Sequence, residues 1–294
     1  MQKLGILSVL TAGVLWGSMG LFVRILTRDY GFTSFQVVTL RLTIAAACFL
    51  ILSFIKGIGI LKVKISHIPI LFCAGFFGIF SLSVTYFLSM KYSSLSLAAI
   101  LMYTAPIFVM IASFFLFKEK MTFMKMLSLI FATIGLVCVS GIFNGDVGVT
   151  VPGVIFGLLS GLTYGSYSIF GKYALRHYQS YTVTAWAFIF AGLSSLFIGN
   201  IGDIYNKISA NISPLFILLI VSMGIITAFL PFLFYTIGLS KLNASKAIIL
   251  ASVEPLVATV FGITVFKEPT DIISIVGIFT ILTAVVMSSA KKDR

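Results

Sequence analysis

Ten runs of apolar residues, each about 20 to 25 residues long, divide this 294-residue chain. A helix of that length covers about 30 Å, which is the thickness of the hydrocarbon core of a bilayer. Hydrophobic residues make up 60% of the chain and charged residues only 10%, far from the composition of soluble domains. The sequence therefore predicts an all-α membrane protein with ten transmembrane helices. The predicted spans are 5–26, 34–55, 67–88, 93–117, 122–141, 151–174, 181–200, 214–238, 243–266 and 271–290.

The distribution of Lys and Arg between the spans predicts the orientation. If the N-terminus is cytoplasmic, 14 basic residues lie on the cytoplasmic side and 5 on the opposite side, while Arg41 lies inside a span. Cytoplasmic loops carry the excess of Lys and Arg. We therefore expect a multi-pass protein of the inner (plasma) membrane with both termini cytoplasmic. The net charge of +12 follows from this topology, and no nucleic-acid partner is expected.

The chain repeats itself with a shift of about 149 residues, and the repeat pairs Pro106 with Pro255. Each half, 1–145 and 146–294, contains five predicted spans. Because five is odd, two such halves in tandem have opposite orientations. The fold class is therefore a 5+5 inverted-topology repeat, an architecture that places transport sites near the bilayer midplane. The matching segments are VLWGSMGLFVR (14–24) with LTYGSYSIFGK (162–172), 86–106 with 235–255, and FKEK (117–120) with FKEP (266–269).

These features together resemble the EamA family of the drug/metabolite transporter superfamily. The resemblance rests on the 5+5 spans, the Trp-Gly-Ser of the first span, the prolines of the fourth and ninth spans, and the FKEK and FKEP segments. It covers essentially the whole chain. It implies a transporter, since most described members of the family export amino acids, other small metabolites or drugs, while others import or exchange. No cofactor is expected.

Glu254 is an acidic residue that lies deep inside a predicted span, about halfway along 243–266. A carboxylate at this depth costs a few kcal/mol unless it faces a partner or a wet cavity, or takes up a proton. Glu254 is therefore a candidate site for a substrate amine or a coupling proton. The alternative is a structural carboxylate fixed by hydrogen bonds between helices. Its counterpart in the first half is Ala105, so the repeat itself does not require an acid, which favours function.

Three prolines lie well inside predicted spans: Pro106, Pro231 and Pro255. A proline within a helix lacks the N–H donor and frees the carbonyl four residues before it. Membrane proteins tolerate this where protein or cavity water satisfies the carbonyl. We expect helix kinks at all three, with freed carbonyls lining a cavity beside Glu254. Kinks that serve packing alone are the alternative.

Two of the cations within the predicted spans bear on this site. Arg41, about eight residues into 34–55, is a candidate partner for Glu254 or for a substrate carboxylate. Snorkelling of Arg41 to the outer interface is the alternative. Lys246, near the start of 243–266, is expected to snorkel to the cytoplasmic face.

Aromatic and hydroxyl side chains complete the predicted substrate site. A buried tyrosine needs a partner for its hydroxyl group, which favours positions that face a cavity. The alternative is the aromatic belt at the membrane interface. Besides Glu254 and Arg41, the candidate substrate-binding residues are Trp16, Ser18, Tyr86, Tyr103, Tyr164 and Tyr235, with Tyr167 as a further lining aromatic.

Small residues and histidines mark other features of the spans. Glycines four residues apart in the sixth span predict close packing with neighbouring helices. His67 and His177 lie at span ends, where interfacial positions are expected. The glycines are Gly153, Gly157, Gly161 and Gly165.

One carboxylate, one arginine and several aromatics around an apolar cavity suit a zwitterion with an apolar body. The sequence therefore predicts export of small organic metabolites, amino acids or related compounds, by alternating access around a central cavity. Efflux of cationic hydrophobic drugs, with Glu254 as counter-charge, is one alternative. A membrane receptor or scaffold that does not transport is another.

Enzymatic activity is not predicted. The sequence contains no phosphate-binding glycine loop, no metal-ligand spacing and no nucleophile elbow. The gaps between spans reach only about 13 residues, which leaves no room for a soluble catalytic domain. The expected partners are the small-molecule substrate and the lipid bilayer, with protons as a candidate coupling ion. A monomer and a homodimer both remain open.

Overall fold

The structure, a computed structural model, describes residues 2–140, 142, 150–267 and 272–290, and no strand occurs in these ranges. Apolar segments in a membrane favour helices because a helix pairs its backbone N–H and C=O groups internally. The helices are α1 (Gln2–Gly17), α2 (Met19–Arg28), α3 (Ser34–Lys56), α4 (Ile68–Gly75), α5 (Leu82–Tyr92), α6 (Leu95–Met102), α7 (Ala105–Phe117), α8 (Phe123–Val139), α9 (Val151–Ala174), α10 (Ser180–Ser195), α11 (Ile201–Ala210), α12 (Pro214–Gly224), α13 (Leu230–Lys241), α14 (Ala244–Ala251), α15 (Val253–Phe266) and α16 (Ile272–Ala290).

Seven helical stretches among the described residues are long and apolar enough to cross a membrane. Two apolar helical stretches are shorter, Phe123–Val139 and Ile275–Ser288. In the predicted seventh span, α10 ends at Ser195 after 16 residues. The chain is therefore a multi-pass membrane protein, and the count of ten spans stays a prediction. The short helix α11 lies where the sequence predicted a loop.

Several predicted spans consist of two helices rather than one. The break between α6 and α7 lies at Tyr103 and Thr104, and the break between α14 and α15 lies at Ser252. Pro106 and Pro255 each lie in the first turn of the helix that follows. A helix break thus lies beside each of these prolines, since proline cannot continue the hydrogen-bond ladder of the helix before it. The kinks themselves stay predictions.

Two π-helical turns interrupt further spans. Phe76–Ser81 joins α4 to α5, and Ile225–Phe229 joins α12 to α13. Pro231 follows the π-helical turn Ile225–Phe229 and lies in the first turn of α13. The π-helical turn Phe76–Ser81 is not followed by a proline, because Leu82 occupies the position that corresponds to Pro231. Turns of this kind inside helices often accompany functional sites.

The same irregularities occur 149 residues apart in the two halves of the chain. The π-helical turns begin at Phe76 and Ile225. Lys118 and Lys267 end α7 and α15 in the left-handed conformation, with φ of 55° and 56°. Local backbone geometry therefore recurs together with the sequence similarity.

Helix α9 packs against α4, α5, α6 and α7. Its glycines allow the close approach, because a Cβ added at any of the four would lie under 3.0 Å from an atom of the neighbouring chain segment. The predicted packing face is thus confirmed for Gly153, Gly157, Gly161 and Gly165. Elsewhere α1 packs against α13 and α15, and α8 pairs with α16.

Candidate functional site

The break between α14 and α15 determines where Glu254 lies. Glu254 is in the first turn of α15, two residues after Ser252. The first N–H groups of a helix have no partner within it and carry a partial positive charge, which stabilises a carboxylate there. Helix α1 packs tightly against this point. A Cβ added at Gly17 would lie 2.8 Å from the carbonyl oxygen of Glu254, and one at Gly13 would lie 2.4 Å from Val253.

Tyrosines from three helices surround the half-buried carboxylate of Glu254. The hydroxyl of Tyr164, on α9, donates to Oε2 across 3.4 Å. Tyr103, at the end of α6, and Tyr86, on α5, lie close enough to interact with the carboxylate electrostatically. Three tyrosines predicted from the sequence thus converge on the predicted acid.

Trp16 packs against the tyrosines of this cluster and is 5% exposed. Its ring centroid lies 6.4 Å from that of Tyr164, 5.4 Å from that of Tyr235 and 4.9 Å from that of Phe232. Tyr103 and Tyr164 are 6.3 Å apart in an edge-to-face arrangement. Aromatic rings at such distances stabilise one another beyond simple burial.

Two pairs of hydrogen-bonded hydroxyl groups join α9 to α13 beside Trp16. The Tyr235 hydroxyl is 2.6 Å from that of Ser168, and the Tyr167 hydroxyl is 2.6 Å from that of Thr236. All four residues are buried. The sequence analysis missed Ser168, Thr236 and Phe232. The sequence feature that could have identified them is their position one to three residues from the named tyrosines on the same helices.

Arg41 is buried in α3 with 7% of its surface exposed, so it does not snorkel in this structure. One terminal nitrogen donates to the sulfur of Met19 at 2.9 Å, and Nε has no hydrogen-bond partner. Arg41 interacts electrostatically with Glu254 but forms no direct ion pair with it within 4.0 Å. A buried cation with an unpaired donor is energetically costly. Arg41 therefore has hydrogen-bonding capacity that the protein itself does not satisfy.

Ser18 and Lys246 lie differently from expectation. Ser18 lies at the break between α1 and α2, where its hydroxyl donates to the carbonyl of Leu15 at 2.7 Å. Among the described residues no hydrogen bond joins the Ser18 hydroxyl to Glu254, and a substrate-binding role for Ser18 stays a prediction. Lys246 is only 2% exposed, so the prediction that it snorkels is wrong. Its position on α14 directs the side chain into the protein.

Both proline breaks face one small cavity of about 10 Å³, lined by α6 to α8 on one side and the α14–α15 break on the other. A space of this size holds about one water molecule. The sequence predicted a cavity lined by freed carbonyls beside Glu254, and that cavity stays a prediction. Tyr103, which interacts with Glu254, is among the residues that line the present one. The lining residues are Tyr103, Pro106, Leu129, Ala132, Thr133, Leu136, Ser252 and Pro255.

A polar cluster at the predicted cytoplasmic end joins the two halves of the chain. The carboxylate of Glu119 accepts the N–H of Ala244 at 2.8 Å and that of Ser245 at 3.4 Å, and it also accepts the Ser245 hydroxyl. Lys125 lies 3.6 Å from the same carboxylate and donates to the Ser245 hydroxyl at 3.1 Å. We call Glu119, Lys125, Ala244 and Ser245 the end seal.

The end seal gives the FKEK segment a structural role, because its glutamate caps the N-terminus of α14. Lys172 strengthens the same end by donating to the carbonyls of Leu239 and Leu242 at 2.7 and 2.5 Å. Sequence analysis used FKEK only as part of a resemblance and did not assign Glu119 a role. The matching Glu268 of FKEP lies outside the described residues.

Among the described residues, no group of three or more His, Cys, Asp or Glu side chains lies close enough to hold a metal ion.

Comparisons with known proteins agree with this architecture. The chain is 25% identical to an uncharacterized transporter of Archaeoglobus fulgidus over 87% of this chain and 88% of the relative. It is 25% identical to the uncharacterized transporter YxxF of Bacillus subtilis over 99% and 91%. It is 23% identical to the uncharacterized inner membrane transporter YicL of Salmonella typhimurium over 99% and 96%.

One solved crystal structure superposes with a TM-score of 0.79 at 20% identity, covering 96% of this chain and 95% of the other, which shows a shared fold. The sequence profile of the EamA-like transporter family matches residues 3–141 and again residues 151–290. These two matches cover nearly the whole chain, and the protein therefore belongs to the EamA-like transporter family.

Proposed function

We propose that this protein exports small zwitterionic metabolites, amino acids or related compounds, through a central site built around Glu254. The observation that carries the proposal is a buried cation, Arg41, close enough to the carboxylate of the aromatic cluster to interact with it electrostatically. Glu254 and the buried Arg41 interact electrostatically without forming a direct ion pair. A substrate with an ammonium group and a carboxylate complements both charges.

Each part of the cluster has a role in this proposal. The Glu254 carboxylate binds the substrate ammonium group, or exchanges the coupling proton in its place. Arg41 binds the substrate carboxylate through donors that include the unpaired Nε. Trp16, Tyr103 and Tyr164 provide aromatic surface for an apolar side chain and for cation–π contact with the ammonium group. Export as the direction comes from the family resemblance alone.

The proposed mechanism is alternating access by two five-helix halves of inverted topology. It is supported by the irregularities that recur 149 residues apart and by the two family matches, 3–141 and 151–290. Inverted repeats of this kind expose a central site to each side of the membrane in turn. In this scheme both termini are cytoplasmic in the inner membrane, and the end seal closes the cytoplasmic side in the present conformation.

The test combines ligand binding with transport. Purified protein is screened by thermal shift against amino acids, their amides and their deaminated acids, because a ligand specific for the native state raises the unfolding temperature. Compounds that stabilise the protein are then measured in counterflow with sealed proteoliposomes. We expect zwitterions to stabilise the protein and to exchange, and we expect derivatives that lack either charge to do neither.

Other outcomes distinguish the alternatives. Stabilisation and exchange of cationic hydrophobic compounds, without any response to zwitterions, would replace the proposal with drug efflux. Binding without counterflow would indicate a receptor or scaffold. Reporter fusions after residue 294 that are active on the periplasmic side would overturn the proposed orientation.

A further inference from the structure

An open pocket of about 440 Å³ lies at the end of the molecule where α3 connects to α4 and α9 connects to α10. Both connections are cytoplasmic in the predicted topology. The pocket is separate from the Glu254 cluster and shares no residue with it. Its lining is basic and aromatic, and none of the residues that line it is acidic. The lining residues are Lys62, Val63, Lys64, His67, His177 and Tyr178.

Three side chains from the α10 region fix the backbone of the 57–67 connection. The N–H of Lys64 donates to the Tyr178 hydroxyl at 2.9 Å. Thr182 donates to the carbonyl of Ile60 at 2.9 Å, and the indole N–H of Trp186 donates to the carbonyl of Leu61 at 3.0 Å. Side-chain bonds to successive carbonyls and an N–H hold this connection in one conformation, so the pocket wall is built in advance of any ligand.

This fixed backbone directs two lysines to the same side. Lys62 and Lys64 both line the pocket, and both are exposed. Their φ and ψ are −66° and 119° and −70° and 138°. Val63, between them, is partly buried and packs against the apolar cluster of Leu71 and Val183. Neither lysine forms an ion pair with a described carboxylate.

The two histidines form the opposite wall. Their ring centroids are 4.6 Å apart, and Nδ1 of His67 lies 2.8 Å from the Tyr178 hydroxyl. Because that hydroxyl accepts the Lys64 N–H, its own proton is available to Nδ1. A neutral His67 then carries its proton on Nε2, as a donor. The pocket therefore combines two ammonium groups with imidazole donors.

Exposed apolar side chains place this pocket at the bilayer surface. Ile58 and Ile65, on either side of the two lysines, are 58% and 84% exposed. Isoleucines with lysines between them are typical of a segment at the boundary of acyl chains and headgroups. The cytoplasmic leaflet carries anionic lipids, which attract basic residues at this level.

We propose that this pocket binds the phosphate group of an anionic phospholipid. Lys62 and Lys64 neutralise the phosphate charge, the histidine wall donates hydrogen bonds to its oxygens, and Ile58 and Ile65 contact the acyl chains. Free inorganic phosphate offers the same oxygens without the acyl chains. The apolar rim favours the lipid, and the experiment separates the two sources.

The test uses the full-length protein in detergent micelles. Titration with phosphatidylglycerol, with phosphatidylcholine or with inorganic phosphate is followed by the unfolding temperature. We expect stabilisation by phosphatidylglycerol alone. Replacing one lysine, Lys62→Gln or Lys64→Gln, should weaken the apparent affinity about fivefold, and replacing both should weaken it about 25-fold, since each basic residue near such a surface contributes about that much.

Two controls separate a built site from general charge attraction. The pair Lys118→Gln and Lys120→Gln removes the same charge, at the same spacing, from exposed positions outside the pocket. It should change the affinity less than about twofold, because exposed charges away from the site are screened by salt. Tyr178→Phe removes no charge but releases Lys64 and His67, and should weaken binding roughly threefold to tenfold.

Equal losses in both lysine pairs, or no loss in Tyr178→Phe, would reduce the interaction to non-specific attraction and overturn the proposal. Stabilisation by inorganic phosphate to the same extent as by phosphatidylglycerol would overturn the assignment to a lipid.

Discussion

The hydroxyl oxygen of Tyr164 lies 3.4 Å from Oε2 of Glu254, which connects the middle of α9 to the first turn of α15. Helix α9 in turn packs against the break between α6 and α7, where a Cβ added at Gly161 would lie 2.8 Å from the carbonyl oxygen of Leu101. Helix α9 therefore hydrogen-bonds to Glu254, beside the break between α14 and α15, and also packs against the break between α6 and α7.

Tyr164→Phe tests this connection, because it keeps the ring and removes the hydroxyl. We expect the variant to insert and fold, and to lose roughly threefold to tenfold in apparent substrate affinity, since the carboxylate loses a donor. Counterflow in proteoliposomes measures the change. Tyr173→Phe, on the same helix but 42% exposed, is the matched control and should behave as wild type. Equal behaviour of the two variants would remove Tyr164 from the site.

Glu254→Gln keeps the size of the side chain and removes both its charge and its proton site. We expect a folded protein that loses active transport about tenfold or more, because a charged hydrogen-bonding group contributes about 1.5–3 kcal/mol. Asp203→Asn makes the same chemical change outside the candidate spans and should leave transport at neutral pH unchanged.

Two roles of Glu254 give different results in this variant. If Glu254 carries the coupling proton, counterflow continues while the response to a pH gradient disappears. If Glu254 binds the substrate ammonium group, binding itself weakens at every pH. Wild-type uptake with an unchanged pH response would instead make Glu254 a structural residue.

Local sequence signals predicted much of this architecture. The helix breaks beside Pro106 and Pro255 and the π-helical turn before Pro231 lie where proline chemistry predicts irregular helices, which needs no knowledge of the rest of the fold. The cluster of Glu254 with its tyrosines was also predictable in outline, because an acid inside an apolar span requires polar partners.

Features that depend on packing between distant segments were not predictable. The π-helical turn Phe76–Ser81 has no proline to mark it. Lys246 is buried because the rotation of α14 in the assembled bundle directs it inward, and the sequence of one helix does not determine that rotation. Glu119 bonds to Ala244, 125 residues away, and a pairing over that separation leaves no local pattern.

Gly75 tests the close packing of α4 against α10. A Cβ added there would lie 2.2 Å from the carbonyl oxygen of Ala187, a backbone atom that cannot rotate away. Gly75→Ala is expected to destabilise the protein by about 1–3 kcal/mol, as overpacking does, and thermal unfolding in detergent measures it. Gly20→Ala, in helix α2 with no atom within 4 Å of the added Cβ, should be neutral or stabilising. A Gly75→Ala protein as stable as Gly20→Ala would contradict the packing.

The contacts of Asp203, which lies outside the candidate spans, predict that the stability of the protein depends on pH. Lys207 Nζ lies 2.8 Å from its carboxylate, and Gln36 donates to it at 2.5 Å. The hydrogen bonds from Lys207 and then Gln36 hold the pKa of Asp203 below its ordinary 3.8. A lowered pKa means that the folded state prefers the ionised form. The stabilisation is therefore complete above the ordinary pKa and is lost as the pH falls through the folded-state pKa.

Asp203→Asn should accordingly lower the unfolding temperature at neutral pH, and the difference from wild type should disappear in acid. A pH series of thermal unfolding curves measures this. A difference that stays constant from neutral to strongly acidic pH would show that the charge of Asp203 does not contribute.

Glu119 tests whether the end seal controls access to the central site. Glu119→Ala removes the acceptor for the N–H groups of Ala244 and Ser245 and leaves Lys125 without its carboxylate. Loss of a helix cap costs about 0.5–2 kcal/mol. If only the sealed conformation makes these bonds, the same free energy shifts the population toward the conformation that is open at this end.

The measurement is the labelling rate of a cysteine introduced at Ser252, which is 5% exposed, in a background without the native cysteines. A membrane-impermeant reagent added from the predicted cytoplasmic side should label Glu119→Ala about two- to thirtyfold faster than the parent protein, in proportion to the free energy of the lost cap. Lys120→Gln, one residue further along in an exposed position, is the matched control and should label at the parent rate. An unchanged rate in Glu119→Ala would mean that the seal stabilises the fold without restricting access, and the gate would then have to lie elsewhere along α9 and α13.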